Sequence, residues 1–273
     1  MACFRSAQMP VSARRALVSL LLLLATLAVA ELTSIDLQVQ HLMYSADTSQ
    51  WLWQKSEPIK RLLFYDGIKI LLVVFALCLL VVATVGNRFT ATRPYHRGAR
   101  VVLLSLIIVP ATVSILKATT HVACPRDLLP FGGDAEYIGI IRSIFDAQAQ
   151  TAAIRCFPAG HASGGFALLS LAFLCRTQRG RRVSATFALL VGGVMGGYKM
   201  MIGDHFLSHT VVTLLLAWSL INVIVLIEEL MEIRPARFDV DSSAVMGSEY
   251  FLPARKSAYQ REKLPDPVFT NFL

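Results

Sequence analysis

Charged residues are scarce in this chain. Only 16% of its 273 residues are Asp, Glu, Lys or Arg, while 55% are hydrophobic. This composition excludes an ordinary soluble domain and predicts a membrane protein. Ionisable residues are also nearly absent from the middle of the apolar runs. A transporter or channel for an anionic solute would place charges there, so this function is disfavoured.

A span of the bilayer needs about 20 apolar residues, and the sequence predicts an all-α polytopic protein with six transmembrane helices in a bundle. The fourth run is short but can be extended back to about residue 158. The first run has an alternative interpretation as a cleavable signal peptide, because Arg14 and Arg15 precede a short apolar core that ends in Ala28-Val29-Ala30. The predicted spans lie near residues 12–32, 67–86, 101–119, 162–175, 183–202 and 207–227.

The distribution of lysine and arginine predicts the orientation. The N-terminus, the loops 87–100 and 176–182 and the region beyond 228 hold 17 of these residues, and the loops 31–66 and 120–160 hold six. The two poorer loops are therefore expected to face outward. The net charge of +8 is then a topology signal, and a nucleic-acid surface is disfavoured because the arginines lie in short loops between spans.

Three regions follow from this pattern. Residues 1–66 would form the first transmembrane helix and an outward interfacial segment, in which Trp51 and Trp53 suit the membrane interface. This segment would serve as an anchor or as a lip that guides a lipid head group. Residues 67–227 would form a catalytic helix bundle. Residues 228–273 lack a periodic apolar pattern and predict a loosely ordered cytoplasmic tail.

Only five cysteines are present, and Cys124 and Cys156 share one outward loop. In an oxidising compartment this pair could form a disulfide, and two free thiols are the alternative.

Glycines recur four residues apart in the fifth span, with Gly192 above Gly196 and Gly193 above Gly197. Small residues at this spacing let helix backbones approach closely in lipid. The sequence therefore predicts a neighbouring helix against this face.

Polar residues collect at the outward ends of spans in three stretches, "KATTHVACPRDL", "CFPAGHASGG" and "YKMMIGDHFLSH". Several costly polar residues at the membrane edge mark a functional site. The fourth span begins just after Pro158, so its first N–H groups and the helix dipole present positive charge beside Gly160. Together with nearby lysine and arginine side chains, this start predicts an anion site, most naturally for phosphate.

His205 and His209 lie one helical turn apart and would share one face if the sixth span begins there, so the pair could ligate a metal. However, no carboxylate-histidine or cysteine cluster completes a familiar ligand set. We therefore expect no metal and no cofactor, since enough cations around a phosphate permit transfer through a covalent histidine.

These stretches resemble the type 2 phosphatidic acid phosphatase superfamily of membrane lipid phosphatases. That family has a lysine followed after six residues by Arg-Pro, then Pro-Ser-Gly-His, then an arginine followed after five residues by histidine and after three more by aspartate. Here Lys117 is followed after six residues by Cys124-Pro125, with the arginine displaced to Arg126. Pro158-Ala159-Gly160-His161 has alanine for serine, and the third motif reads Lys199, His205, His209, with lysine for arginine and histidine for aspartate.

The resemblance covers about residues 60–227 and implies a role for each matched residue. His205 would be the nucleophile, and His161 would protonate the leaving oxygen and then activate water. His209 would orient His205, or else Asp204 or Asp127 would supply the missing negative charge. The implied substrate-binding groups are Lys117, Arg126, Gly160 and Lys199.

The expected function is therefore a phosphatase in a bacterial cytoplasmic membrane that acts at the outer leaflet. The resemblance implies substrates such as polyprenyl diphosphate, lipid A 1-phosphate or phosphatidylglycerol phosphate, and no nucleic-acid partner. The alternatives are a lipid phosphotransferase and a catalytically inactive relative that acts as a partner protein. The sequence makes no prediction about the oligomeric state.

Overall fold

Long apolar helices dominate the architecture. The structure is a computed structural model, and it describes residues 9–54, 59, 62–85, 88, 92–145 and 155–244. Apolar runs form helices in lipid because a helix satisfies its own backbone groups. Among the described residues, five helices are long and apolar enough to cross a membrane. They are α1 (Val11–Leu32), α3 (Gly67–Val85), α4 (His96–Thr119), α7 (Gln178–Met201) and α8 (Leu207–Ala244), whose apolar part ends at Met231.

The fourth predicted span is too short in the structure to cross the bilayer by itself. It consists of the α-helix α6 (Gly160–Ala167) and a 3₁₀ segment (Leu168–Phe173). These two pieces have a combined length of about 24 Å, below the roughly 30 Å of hydrocarbon. The all-α membrane fold is confirmed, but six full spans are not.

This short helix lies inside the bundle, where α4, α7 and α8 contact it. Ala162, Phe166 and Ala167 are buried there in the main apolar core, together with Val109 of α4 and Ile221 of α8. A helix surrounded by protein does not have to match the membrane thickness by itself. Its start is therefore set by its neighbours.

The first helix packs along α8. Leu23 and Ala30 share a core cluster with Val212, and the Ser12 hydroxyl donates to the Glu229 carboxylate at 2.7 Å. Helix α1 is therefore part of the bundle.

The segment after α1 forms α2 (Ile35–His41) and a hairpin of two short antiparallel strands, β1 (Tyr44–Ser45) and β2 (Gln50–Trp51). Tyr44 and Trp51 contact the ring of Phe131, which belongs to the loop between α4 and α6. That loop contains the short helix α5 (Ile140–Phe145). The segment is thus partly helical and covers the end of the bundle.

At the other end of the chain, α8 continues past residue 228 to Ala244. The remainder of the predicted tail, residues 245–273, lies outside the described residues.

Candidate active site

The three polar stretches meet at one end of the helix bundle. Lys117 lies in the last turn of α4, His161 in the first turn of α6, and His205 in the loop between α7 and α8. The ring centroids of His161 and His205 are 5.9 Å apart, and those of His205 and His209 are 5.8 Å apart. Lys117 and Lys199 both lie close enough to lower the pKa of His205.

His205 is buried, with 1% of its surface exposed. Within the described part of the chain, neither of its ring nitrogens has a hydrogen-bond partner. Burial lowers the pKa of His205 well below its usual value, and the nearby His209, Lys117, His161 and Lys199 lower it further. The imidazole is therefore neutral at pH 7 and keeps a lone pair, as a nucleophile requires.

The loop that carries His205 is tightly folded. The Lys199 carbonyl accepts from the N–H groups of Asp204 at 2.8 Å and His205 at 3.3 Å. Gly203 has a φ of +73°, and a methyl group there would lie 2.5 Å from the Trp51 indole. This position needs glycine for both its conformation and its space.

Asp204 holds two of the predicted phosphate-binding cations. Its carboxylate accepts from the Lys199 ammonium at 2.8 Å and forms an ion pair with the Arg126 guanidinium. The backbone N–H of Arg126 also donates to the Gly203 carbonyl at 3.0 Å. Arg126 thus joins the cluster through this loop, although it arrives later in the sequence than the family pattern places it.

Lys117 instead faces a groove between α3, α4 and α6. The groove has a volume of about 450 Å³, and its polar end contains Lys117, Gly160 and His161. Leu72, Val73, Leu106 and Pro110 line its apolar length. The wall of α4 from Lys117 to Leu106 extends about 16 Å, so the groove reaches towards the middle of the bilayer.

Hydrogen bonds fix the start of α6. The Thr213 hydroxyl accepts from the Ala159 N–H at 2.9 Å and donates to the His209 carbonyl at 2.7 Å. A methyl group on Gly160 would lie 3.9 Å from the Lys117 side chain, which is an ordinary contact. Space alone therefore does not require glycine at this position.

His209 is fully buried between aromatic rings. Phe157 and Phe206 contact it edge-on, with centroid distances of 5.2 and 5.3 Å. Among the described residues its ring makes no hydrogen bond to His205. Helix α8 begins at Leu207, so His205 precedes the helix and the two rings do not share a helical face.

Cys124 and Cys156 form a disulfide. The bridge joins the stretch after α4 to the stretch before α6. The Cys156 N–H also donates to the Val122 carbonyl at 3.0 Å, and the Thr120 hydroxyl bonds to the Phe157 carbonyl. This connection holds Lys117 and His161 at a common edge.

Replacing both bridged cysteines with serine is expected to lower the free energy of unfolding by about 3–4 kcal/mol, because the closed loop restricts the unfolded chain. Cys124 and Cys156 are separated by 32 residues. Thermal unfolding of the purified protein measures the loss. Cys175→Ser is the matched control, since Cys175 is a free thiol; equal stability of the two variants would contradict the prediction.

Helix α2 anchors both ends of the histidine loop. The Asp36 carboxylate accepts from the Ser208 N–H at 2.9 Å and from the Ser208 hydroxyl, and so caps α8. The Gln40 amide donates to the Met200 carbonyl at 2.8 Å at the end of α7. Burial raises the pKa of Asp36, while the Ser208 hydrogen bonds lower it in part.

Asp36→Ala is expected to lower the free energy of unfolding by about 2–3 kcal/mol, because two buried donors on Ser208 lose their charged acceptor. Asp36→Asn keeps one acceptor oxygen and is expected to lose less. Asp47→Ala, at an exposed position of the same segment, is the control. Thermal unfolding of the three variants tests the order, and an Asp36→Ala protein as stable as the control would refute it.

The family comparison agrees with this geometry. A family model described as the PAP2 superfamily matches residues 98–230, from α4 to α8. The chain belongs to the PAP2 superfamily. It is therefore a phosphatase-type membrane protein. No curated protein and no solved structure matches the chain.

All seven predicted site residues lie inside the PAP2 match. The structure brings the three histidines, Lys117, Gly160 and Lys199 together directly, and Arg126 through Asp204. The sequence analysis missed Lys69, which lines the groove, and Asp36 and Thr213, which position the PAP2 site. A lysine in the first turn of an apolar helix could have indicated Lys69; nothing in the local sequence distinguishes the other two.

Proposed function

We propose that this protein is an integral membrane lipid phosphatase that removes a phosphate from a lipid phosphate or diphosphate through a phosphohistidine intermediate. The observation that carries the proposal is the position of the facing His161 and His205 rings beside an apolar groove. Lys117, Gly160 and His161 form the polar end of this groove. A lipid phosphate would place its phosphate beside the cations and its chain along the apolar wall.

In the first step, a ring nitrogen of neutral His205 attacks phosphorus while the bond to the lipid oxygen breaks. The leaving oxygen takes a proton from protonated His161. In the second step, neutral His161 accepts a proton from water, the resulting hydroxide attacks phosphorus, and the bond to His205 breaks. Phosphate is released, and both imidazoles return to their starting protonation states.

Lys117, Lys199 and the first N–H groups of α6 would hold the phosphoryl oxygens as charge develops. Arg126 would contribute once phosphate competes with Asp204 for its guanidinium. The Asp204 carboxylate would offset the mutual repulsion of these cations.

We place the site on the outer face of a bacterial cytoplasmic membrane. The lysine and arginine distribution supports this orientation. The disulfide between Cys124 and Cys156 supports it as well, because disulfides persist in oxidising compartments such as the periplasm.

The test is phosphate release by the purified full-length protein from polyprenyl diphosphate, lipid A 1-phosphate and phosphatidylglycerol phosphate in mixed micelles. We expect turnover of at least one of these lipids and much weaker turnover of a soluble aryl phosphate, which cannot fill the groove. Labelled phosphate that moves to an added acceptor lipid instead of water would identify a phosphotransferase. A folded protein without turnover on the whole panel would support the inactive-relative alternative and reject the proposal.

A further inference from the structure

A second groove lies on the opposite side of the membrane from the histidine cluster. It has a volume of about 650 Å³ and lies between α1, α7, α8 and the 3₁₀ segment. One end carries Arg14 and Arg15, and the wall is mostly apolar, with Val18, Leu189, Leu215 and Trp218 among its residues.

The position of Glu229 shows how far this groove lies from the catalytic end. Glu229 bonds to Ser12 near the start of α1 and lies close to Arg15. Leu207, next to the histidines, begins the same helix. At 1.5 Å per residue, the helix from Leu207 to Glu229 spans about 33 Å, roughly the thickness of the hydrocarbon core. The two grooves therefore belong to different leaflets.

The polar end of the groove carries excess positive charge. Arg15 lies close enough to Arg14 and Arg181 to be repelled by both, while Glu229 is the acidic group that attracts it. Arg181 comes from α7 and is buried, and its Nε–H donates to the Cys175 carbonyl at 3.0 Å. Among the described side chains of this cluster, three guanidinium groups and one carboxylate give a net charge of about +2.

The groove is also open to lipid along its side. Val18 is 50% exposed, Leu22 is 52% exposed and Leu189 is 44% exposed. An apolar groove that is open to the bilayer and ends in arginines fits a phospholipid. The acyl chain would lie along the apolar wall and the phosphate at the arginine end. Guanidinium groups suit this phosphate because they bind its oxygens in pairs.

We propose that this groove binds an anionic glycerophospholipid of the leaflet opposite to the active site. Its phosphate binds Arg14 and Arg15 of α1, beside the buried Arg181 of α7, and one acyl chain lies against Trp218. The bound lipid relieves the repulsion between the two helices and fills the space between them. This inference does not depend on the catalytic proposal, because it concerns a different groove.

Fluorescence of Trp218 tests the proposal, since brominated acyl chains quench a tryptophan that they contact. The full-length protein is titrated in mixed micelles with brominated phosphatidylglycerol or brominated phosphatidylcholine. Trp51 and Trp53 lie in the outward segment, so the difference between the wild-type protein and Trp218→Phe isolates the groove signal. We expect half-maximal quenching at a roughly tenfold lower mole fraction of phosphatidylglycerol, given a net charge of about two.

The double variant Arg14→Gln/Arg15→Gln is expected to bring the two lipids within about twofold of each other. Arg88→Gln/Arg97→Gln removes the same charge from the same side of the membrane without touching the groove, and should keep the preference. Equal quenching of the wild-type protein by both lipids would overturn the proposal even if the arginine variant fails to fold. An arginine variant that keeps the tenfold preference would overturn it as well. None of these measurements requires turnover, so an inactive protein tests the groove equally well.

Discussion

Replacing His205 with alanine is expected to lower turnover more than about a thousandfold, because it removes the imidazole that would form the bond to phosphorus. His161→Ala is expected to cost about a hundredfold to ten-thousandfold, since it removes the acid and the base of the two steps. The two residues act as a unit, so the double variant should be no slower than His205→Ala. Initial rates of phosphate release on the best lipid of the panel measure all three.

His96→Ala is the matched control for these variants. His96 begins α4, at the end of that helix opposite to Lys117, and should leave the rate unchanged. Each variant must also show the wild-type unfolding temperature, so that a lower rate reflects a loss of catalysis and not a loss of folding. Full activity of a folded His205→Ala protein would remove the covalent mechanism, and a double variant far slower than His205→Ala would show that the two histidines act independently.

Gly192→Leu is expected to lower the free energy of unfolding by more than about 3 kcal/mol, because the added side chain overpacks the contact between α6 and α7. A methyl group on Gly192 would already lie 2.2 Å from a ring carbon of Phe166, and one on Gly165 would lie 2.6 Å from the Gly192 Cα. The yield of monodisperse protein and its unfolding temperature in detergent measure the effect.

Gly193→Leu makes the same chemical change one residue further along α7. Apart from the adjacent backbone of α7, no atom of the described residues lies within 4 Å of a methyl group on Gly193, so this variant should fold normally. If both leucine variants unfold at the same temperature, the close approach of α6 and α7 does not stabilise the bundle. The glycine face meets two helices: Gly192 packs against Phe166 of α6, and a methyl group on Gly196 would lie 2.4 Å from the Thr210 side chain of α8.

The apolar runs were sufficient to predict five spans, because the bilayer imposes a minimum length that composition reveals directly. The fourth run is short in the sequence and is not confirmed as a full span, since α6 is enclosed by other helices and its length is not set by the membrane. The sequence likewise predicts only part of the cluster of charged side chains. Spacing indicated Lys117, Lys199 and Arg126, and Asp204 entered only as an alternative source of negative charge for His205. That its carboxylate pairs with Lys199 and Arg126 is recognisable only in three dimensions.

The sequence alone predicts an all-α membrane protein whose polar residues collect at one set of helix ends. It can do so because hydropathy and residue spacing are local properties of the chain. Only the tertiary structure decided which of those residues face one another. It placed Asp36 at the start of α8, joined Cys124 to Cys156, and left His209 between two phenylalanine rings without a hydrogen bond to His205 among the described residues. These contacts join segments that are distant in the chain and depend on how the helices pack, which no local pattern encodes.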